Sequence, residues 1–145
     1  MSRIVSFRGL LADGAQERIP LQTNKGLIGY KIVKFQIITS LPGTGLDYES
    51  CLKIYKVLQT AVDAVVDFSD NRLLGVAYMS GDSASVTAVQ DTIIFDNEVF
   101  NQYIYITHVD SSAAQACNYY IELEQRDLAL DEATVATLKD IRNND

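Results

Sequence analysis

The chain has 145 residues, 48% of them hydrophobic and 21% charged, with two prolines and two cysteines, which suits one domain folding on its own core and excludes a disordered or disulfide-dependent chain. A formal charge of −7 and a pI of about 4.6 make nucleic acid an unfavourable partner. No apolar run approaches the roughly 18 residues of a membrane span, and the first 14 residues lack the apolar core and cleavage site of a signal peptide, so the chain reads as made and kept in cytoplasm, away from membranes.

Residues 1–25 carry Arg3, Arg8 and Arg18 and read as an N-terminal arm, punctuated by turn residues at 12–15 and 24–26. Residues 29–39 are rich in β-branched and aromatic side chains and predict a strand. The Leu41-Pro42-Gly43-Thr44-Gly45 run matches a wall-sorting signal, but that signal needs a following apolar span and basic tail, and here about 100 residues of folded-looking sequence follow; it reads as a turn. From 51 to 66 two readings compete. Cys51, Tyr55, Leu58, Val62 and Val65 fall near a helical period, whereas the Ile, Val, Tyr and Thr content favours two strands, at 50–59 and 61–68. The strand reading is preferred. Shorter strands follow at 72–79 and 91–96, separated by turns at 69–71 and 80–83. Residues 103–109 predict a strand buried on both faces. In 119–124 Tyr119, Ile121 and Leu123 alternate with Tyr120, Glu122 and Glu124, as a strand with one wet face requires. A short C-terminal helix is expected over 131–142, with Asp131 as N-cap and Leu130 and Val135 placed for a hydrophobic staple. The whole, residues 1–145, reads as a single all-β antiparallel sandwich domain.

Residue sets able to carry out catalysis are mainly absent from the sequence. His108 is the one histidine, it shares a strand face with Ile104 and Ile106, and neither Cys51 nor Cys117 stands in a nucleophile context, so the three read as core residues. Two cysteines and one histidine, widely spaced, do not make a zinc site, and neither phosphate-cradling glycine motif is present; no cofactor is expected. Acidic groups at Asp63, Asp67, Asp70 and Asp82, or at Asp91, Asp96 and Glu98, lack EF-hand spacing and read as solvated. Tyr30 and Phe35, among basic side chains including Lys25, Lys31 and Lys34, would be stacking platforms if a nucleic acid bound, yet ordinary core aromatics explain them better.

Charge is unevenly distributed along the chain: residues 1–60 carry eight basic and four acidic side chains, a net of +4, and residues 61–145 carry a net of −11. A domain that exposes opposite charges on different surfaces tends to bind copies of itself or a charged neighbour. Tyr103, Tyr105, Tyr119 and Tyr120 are the candidate contact residues, since tyrosine presents an apolar body with a polar tip. Arg3, Arg8 and Arg18 join them from the basic part, and Asp96 and Glu98 from the acidic part.

Three stretches, 94–108, 117–124 and 133–143, together with 49–56 and 66–70, resemble small virion-associated proteins of marine tailed bacteriophages; the likeness covers about two thirds of the chain and leaves the first 25 residues unmatched. The resemblance implies a jelly-roll-like β-sandwich in or on a virus particle and favours strands over helix at 51–66. It brings no catalytic residue with it. The expected function is therefore a non-enzymatic virion protein, of the capsid, its surface or the tail, whose partners are copies of itself and other virion proteins. The alternative from another class is a carbohydrate-binding sandwich, with tyrosines stacked on sugar rings and acidic loops holding Ca²⁺. A third, a small hydrolase using paired carboxylates among Asp91, Asp96 and Glu98, would need an enclosed pocket to raise one pKa.

Overall fold

A computed structural model describes residues 3–21, 27–42, 44, 46–81, 88–95, 99–129 and 136–138. Among the described residues there are eight strands, β1 (Arg3–Leu11), β2 (Gln16–Ile19), β3 (Ile28–Thr39), β4 (Tyr48–Tyr55), β5 (Leu73–Gly81), β6 (Val89–Ile94), β7 (Ile104–Asp110) and β8 (Cys117–Asp127). They form two antiparallel sheets, β1-β8-β3 and β2-β7-β4-β5-β6. Wrapping one long hairpin around a barrel pairs strands whose numbers add to nine, and β1·β8, β2·β7 and β4·β5 are such pairs. Wrapping then brings β8 beside β3 and β7 beside β4, as found here. This is a jelly-roll-like winding. The departure is at the remaining rung: β6 bonds to β5 and meets β3 through side chains, with Gln90 Nε2 donating to the Ile37 carbonyl at 3.2 Å.

The strand sequences explain their own orientation. On β8 Tyr119, Ile121 and Leu123 are buried and Tyr120, Glu122 and Glu124 face outward, as their alternation requires. On β3 a bulge between Ile32 and Lys34 inserts Val33 and reverses the parity. Ile32, Phe35 and Ile37 therefore all reach the core, although simple alternation would send the first away from the other two. They meet Leu52, Ile54, Ile104 and Ile106 from the facing sheet in one hydrophobic cluster. Tyr30 and Phe35 belong to that cluster, which removes them as stacking platforms.

Two expectations need correction, and one alternative reading is set aside. Residues 3–11 and 16–19 are strands rather than an arm, because Val5, Phe7, Leu11 and Ile19 supply apolar groups to the core; a turn with Gly14 at φ 80° joins them. Residues 61–68 form no strand. Segment 56–72 instead lies as a strap across the outer face of the five-stranded sheet, its base closed by Lys56 N–H donating to the Arg72 carbonyl at 2.9 Å. Its start is tied to β2, where Gln16 and Gln59 exchange bonds of 3.0 and 2.9 Å. The helical periodicity at 51–66 also fails, since 48–55 is a strand that puts Leu52 and Ile54 inward and Cys51 and Tyr55 under the strap. Of the C-terminal segment, residues 136–138 are helical and Ala136 packs on Leu128; Leu130, Asp131 and Val135 lie outside the described residues, as do the turn residues 24–26.

Cys51 and Cys117 are buried free thiols, as expected. Burial pushes the Cys117 thiol up to about 12, and burial raises Cys51 as well. Neither should react with a disulfide reagent in the native state at mildly alkaline pH, with both labelling only on unfolding; native labelling at the rate of a free thiol would contradict this packing.

Candidate interaction surface

The outer face of the β1-β8-β3 sheet brings three strands' outward side chains into register. Arg8, Tyr120 and Gln36 make one row across it, and Leu10, Asn118 and Ile38 make the next. These two rows line a depression of about 520 Å³. Leu10 and Ile38, at the two ends of one row, are 57% and 58% exposed, open for large aliphatic groups on a sheet face. Further along, Lys34 opposes Glu122 and Lys31 opposes Glu124, so basic β3 and acidic β8 meet on the same face. The charge asymmetry of the sequence is thus partly consumed inside one sheet. Tyr120 donates its hydroxyl to Glu122 Oε2 at 2.7 Å, and that bond holds its phenol above the usual tyrosine range. Its ring stays half-exposed beside Arg8.

Tyr119 points the other way. Its ring lies beneath β1, where Gly9 admits it: a Cβ at position 9 would stand 2.8 Å from Tyr119 Cε2. The Tyr119 hydroxyl donates to Glu17 Oε2 at 2.9 Å, linking the two sheets; burial, with help from Glu17, raises its pKa. Tyr119 is a core residue and leaves the set of contact candidates. Tyr103, Tyr105 and Arg18 collect on the opposite side of the molecule, at the β2 edge: the Arg18 guanidinium sits 4.7 Å from the Tyr103 ring centroid, and Arg18 faces Tyr105 across the ladder. Arg3 is exposed at the start of β1 opposite Gln125, on the other parity from Arg8. Asp96 and Glu98 lie outside the described residues, as does Asp82.

The remaining sequence candidates are engaged locally. His108 is fully buried, and its Nδ1 must carry the proton, since it donates to the carbonyls of Leu11 and Ala12 at 3.0 and 3.1 Å. Asp63 pairs with Lys53 and Asp70 with Arg72, while Asp67 accepts from Ser69 and Asp91 from the Thr92 N–H. Among the described residues no group of three His, Cys, Asp or Glu side chains is placed to hold a metal ion. A second depression, of about 560 Å³, follows the seam between β3 and β6 where the backbone rung is missing, and Gln36, Gln90 and Asp91 line it.

Two features escaped the sequence reading. Lys53 is only 2% exposed, held by Asp63 Oδ1 at 3.0 Å and by the Val65 carbonyl. Asp110 is buried and accepts four backbone N–H groups, from Glu49, Ser112, Ala113 and Gln115. The Asp-Ser-Ser run after a strand is a recognisable side-chain turn signature and could have disclosed the second. For Lys53 the alternation with Cys51 and Tyr55 gave its side of the sheet but no hint of a cover. No protein-family model matches the chain, and no curated protein matches it in sequence.

Proposed function

We propose that the protein is a non-enzymatic structural subunit of a phage particle, in the capsid, on its surface or in the tail, which assembles with copies of itself and with other virion proteins. The observation that carries the reading is the outer face of the β1-β8-β3 sheet, where Leu10 and Ile38 stand open beside Arg8 and Tyr120. Apolar groups bordered by a cation and an aromatic are the usual make-up of a protein contact. The jelly-roll-like winding agrees with the resemblance noted in the sequence, and such sandwiches serve as shell components and as lectins alike. The particle would form in host cytoplasm.

The second reading, a carbohydrate-binding module, draws on the same depression, in which Tyr120, Gln36, Asn118 and Arg8 offer a ring face and hydrogen-bonding groups of the kind a sugar engages. Light scattering across a concentration series at low and high salt, followed by negative-stain imaging, separates the two. Rings, lattices or filaments that weaken with salt support the virion reading. Monomers that neither associate nor change with salt, and that bind a polysaccharide saturably, favour the module.

A further inference from the structure

The outer faces of the two sheets lie on opposite sides of the sandwich, and each combines exposed apolar groups with a surplus of one charge. On the three-stranded sheet Glu122 and Glu124 are opposed by Lys34 and Lys31, leaving Arg8 and Arg126 as exposed cations on the same parity. On the far side the strap exposes Val65, Val66 and Phe68, with Asp67 between them. Phe68 stacks edge-on against Phe95 at 5.4 Å, which carries the apolar patch from the strap to the end of β6, where Ile93 and Asp91 also face outward. Asp63 and Asp70 already have Lys53 and Arg72, and Arg18 lies away at the β2 edge over Tyr103, so around the strap and β6 Asp67 and Asp91 supply the surplus negative charge.

Pairing either face with its own copy would set like charges against each other, Arg8 and Arg126 on one side or Asp67 and Asp91 on the other. Pairing one face with the other sets opposite charges together and buries both apolar patches. We propose that copies of this chain stack head to tail, the outer face of β1-β8-β3 of one seated on the strap and β6 of the next. This rests on the self-assembly reading above and specifies its geometry. A heterologous contact of this kind leaves one free face at each end, so it builds rings when the rotation closes and filaments when it does not.

Sedimentation velocity at low salt on Arg8→Glu and Asp67→Arg tests it. Each variant alone should lose association by about tenfold or more, because each lacks one of the two complementary faces. Mixed in equal amounts, they should associate again, since the intact face of each meets the intact face of the other and the exchanged charges at the remaining contact are also opposite. Circular dichroism checks folding, and Asp91→Arg, a change outside the strap, decides the matter if Asp67→Arg disturbs its turn. Folded Asp67→Arg and Asp91→Arg proteins that assemble like the parent, or a mixture that does not associate, would overturn the head-to-tail contact while leaving self-assembly standing. A parent chain that stays monomeric at every concentration would overturn both.

Discussion

Lys53→Glu should cost about 4 kcal/mol of unfolding free energy, read by urea denaturation, because it puts a carboxylate in a buried site that already faces Asp63. The site lies beneath the strap, between Cys51 and Tyr55 on β4 and the Val76 side chain of β5. Asp63→Ala should cost less, about 1–2 kcal/mol, since Asp63 is 57% exposed and water screens part of the pair. Lys53→Met should be nearly neutral, as a long apolar side chain fills the same space and Asp63 returns to solvent. The ordering of the three matters more than any single value. If the lysine were only a filler, Asp63→Ala would cost nothing measurable.

The pH dependence follows from the same contact. The bond from Lys53 holds the Asp63 carboxyl below its ordinary 3.8, so this contribution is complete above that value and is lost as pH falls through the lower folded value. For Lys53, burial works against the ammonium, but the hydrogen bonds with Tyr55 and Asp63 outweigh it and lift its pKa above 10.5. That contribution is complete below 10.5 and is lost as pH rises through the folded value. The strap is thus held between these limits, and acid should loosen it, with Asp63→Ala removing only the share of the acid-side dependence that Asp67 and Asp70, also held low, do not carry.

Asp110→Ala should cost about 3 kcal/mol, because it leaves the N–H groups of Glu49, Ser112, Ala113 and Gln115 without their acceptor. Those bonds lie between 2.8 and 3.3 Å. Burial works to raise the Asp110 pKa, yet the four donors together hold it below 3.8, so its contribution too is present above 3.8 and lost as pH falls through the folded value. The β7–β8 loop it organises contains Ala114 at φ 56°, a left-handed conformation that costs an alanine about 1 kcal/mol. Ala114→Gly should therefore stabilise by up to about 1 kcal/mol, and a thermal melt of the two variants gives the contrast. Asp110→Asn should retain part of the stability, since one acceptor oxygen remains while the amide nitrogen opposes a backbone N–H.

Local pattern carried the fold where each strand's burial agrees with its own alternation. β8 is the plainest case: Glu122 and Glu124 could not have faced a core already holding Ile121 and Leu123. β3 was legible as a strand, but the parity reversal at Val33 was not, because a bulge depends on the partner's register. Residues 61–68 misled for a related reason. Their valines suggested a ladder, yet β4 and β5, over which the segment lies, each already have a neighbour on both sides, and the segment stays over that face anchored by Lys53. The N-terminal residues hid their strands behind Arg3, Arg8 and Arg18, which occupy exposed positions on edge strands β1 and β2. Of the candidate contacts, Arg8 and Tyr120 came together on one face while Tyr119, one residue away, went inside, a separation that strand parity alone requires.

Hydroxyl-radical labelling of dilute and concentrated protein, read residue by residue, addresses the outer face of β1-β8-β3 most directly. The account predicts that Tyr120 and Leu10 lose reactivity as subunits associate, while buried Tyr119 stays unreactive throughout. Full reactivity of Tyr120 and Leu10 in the assembled state would contradict it.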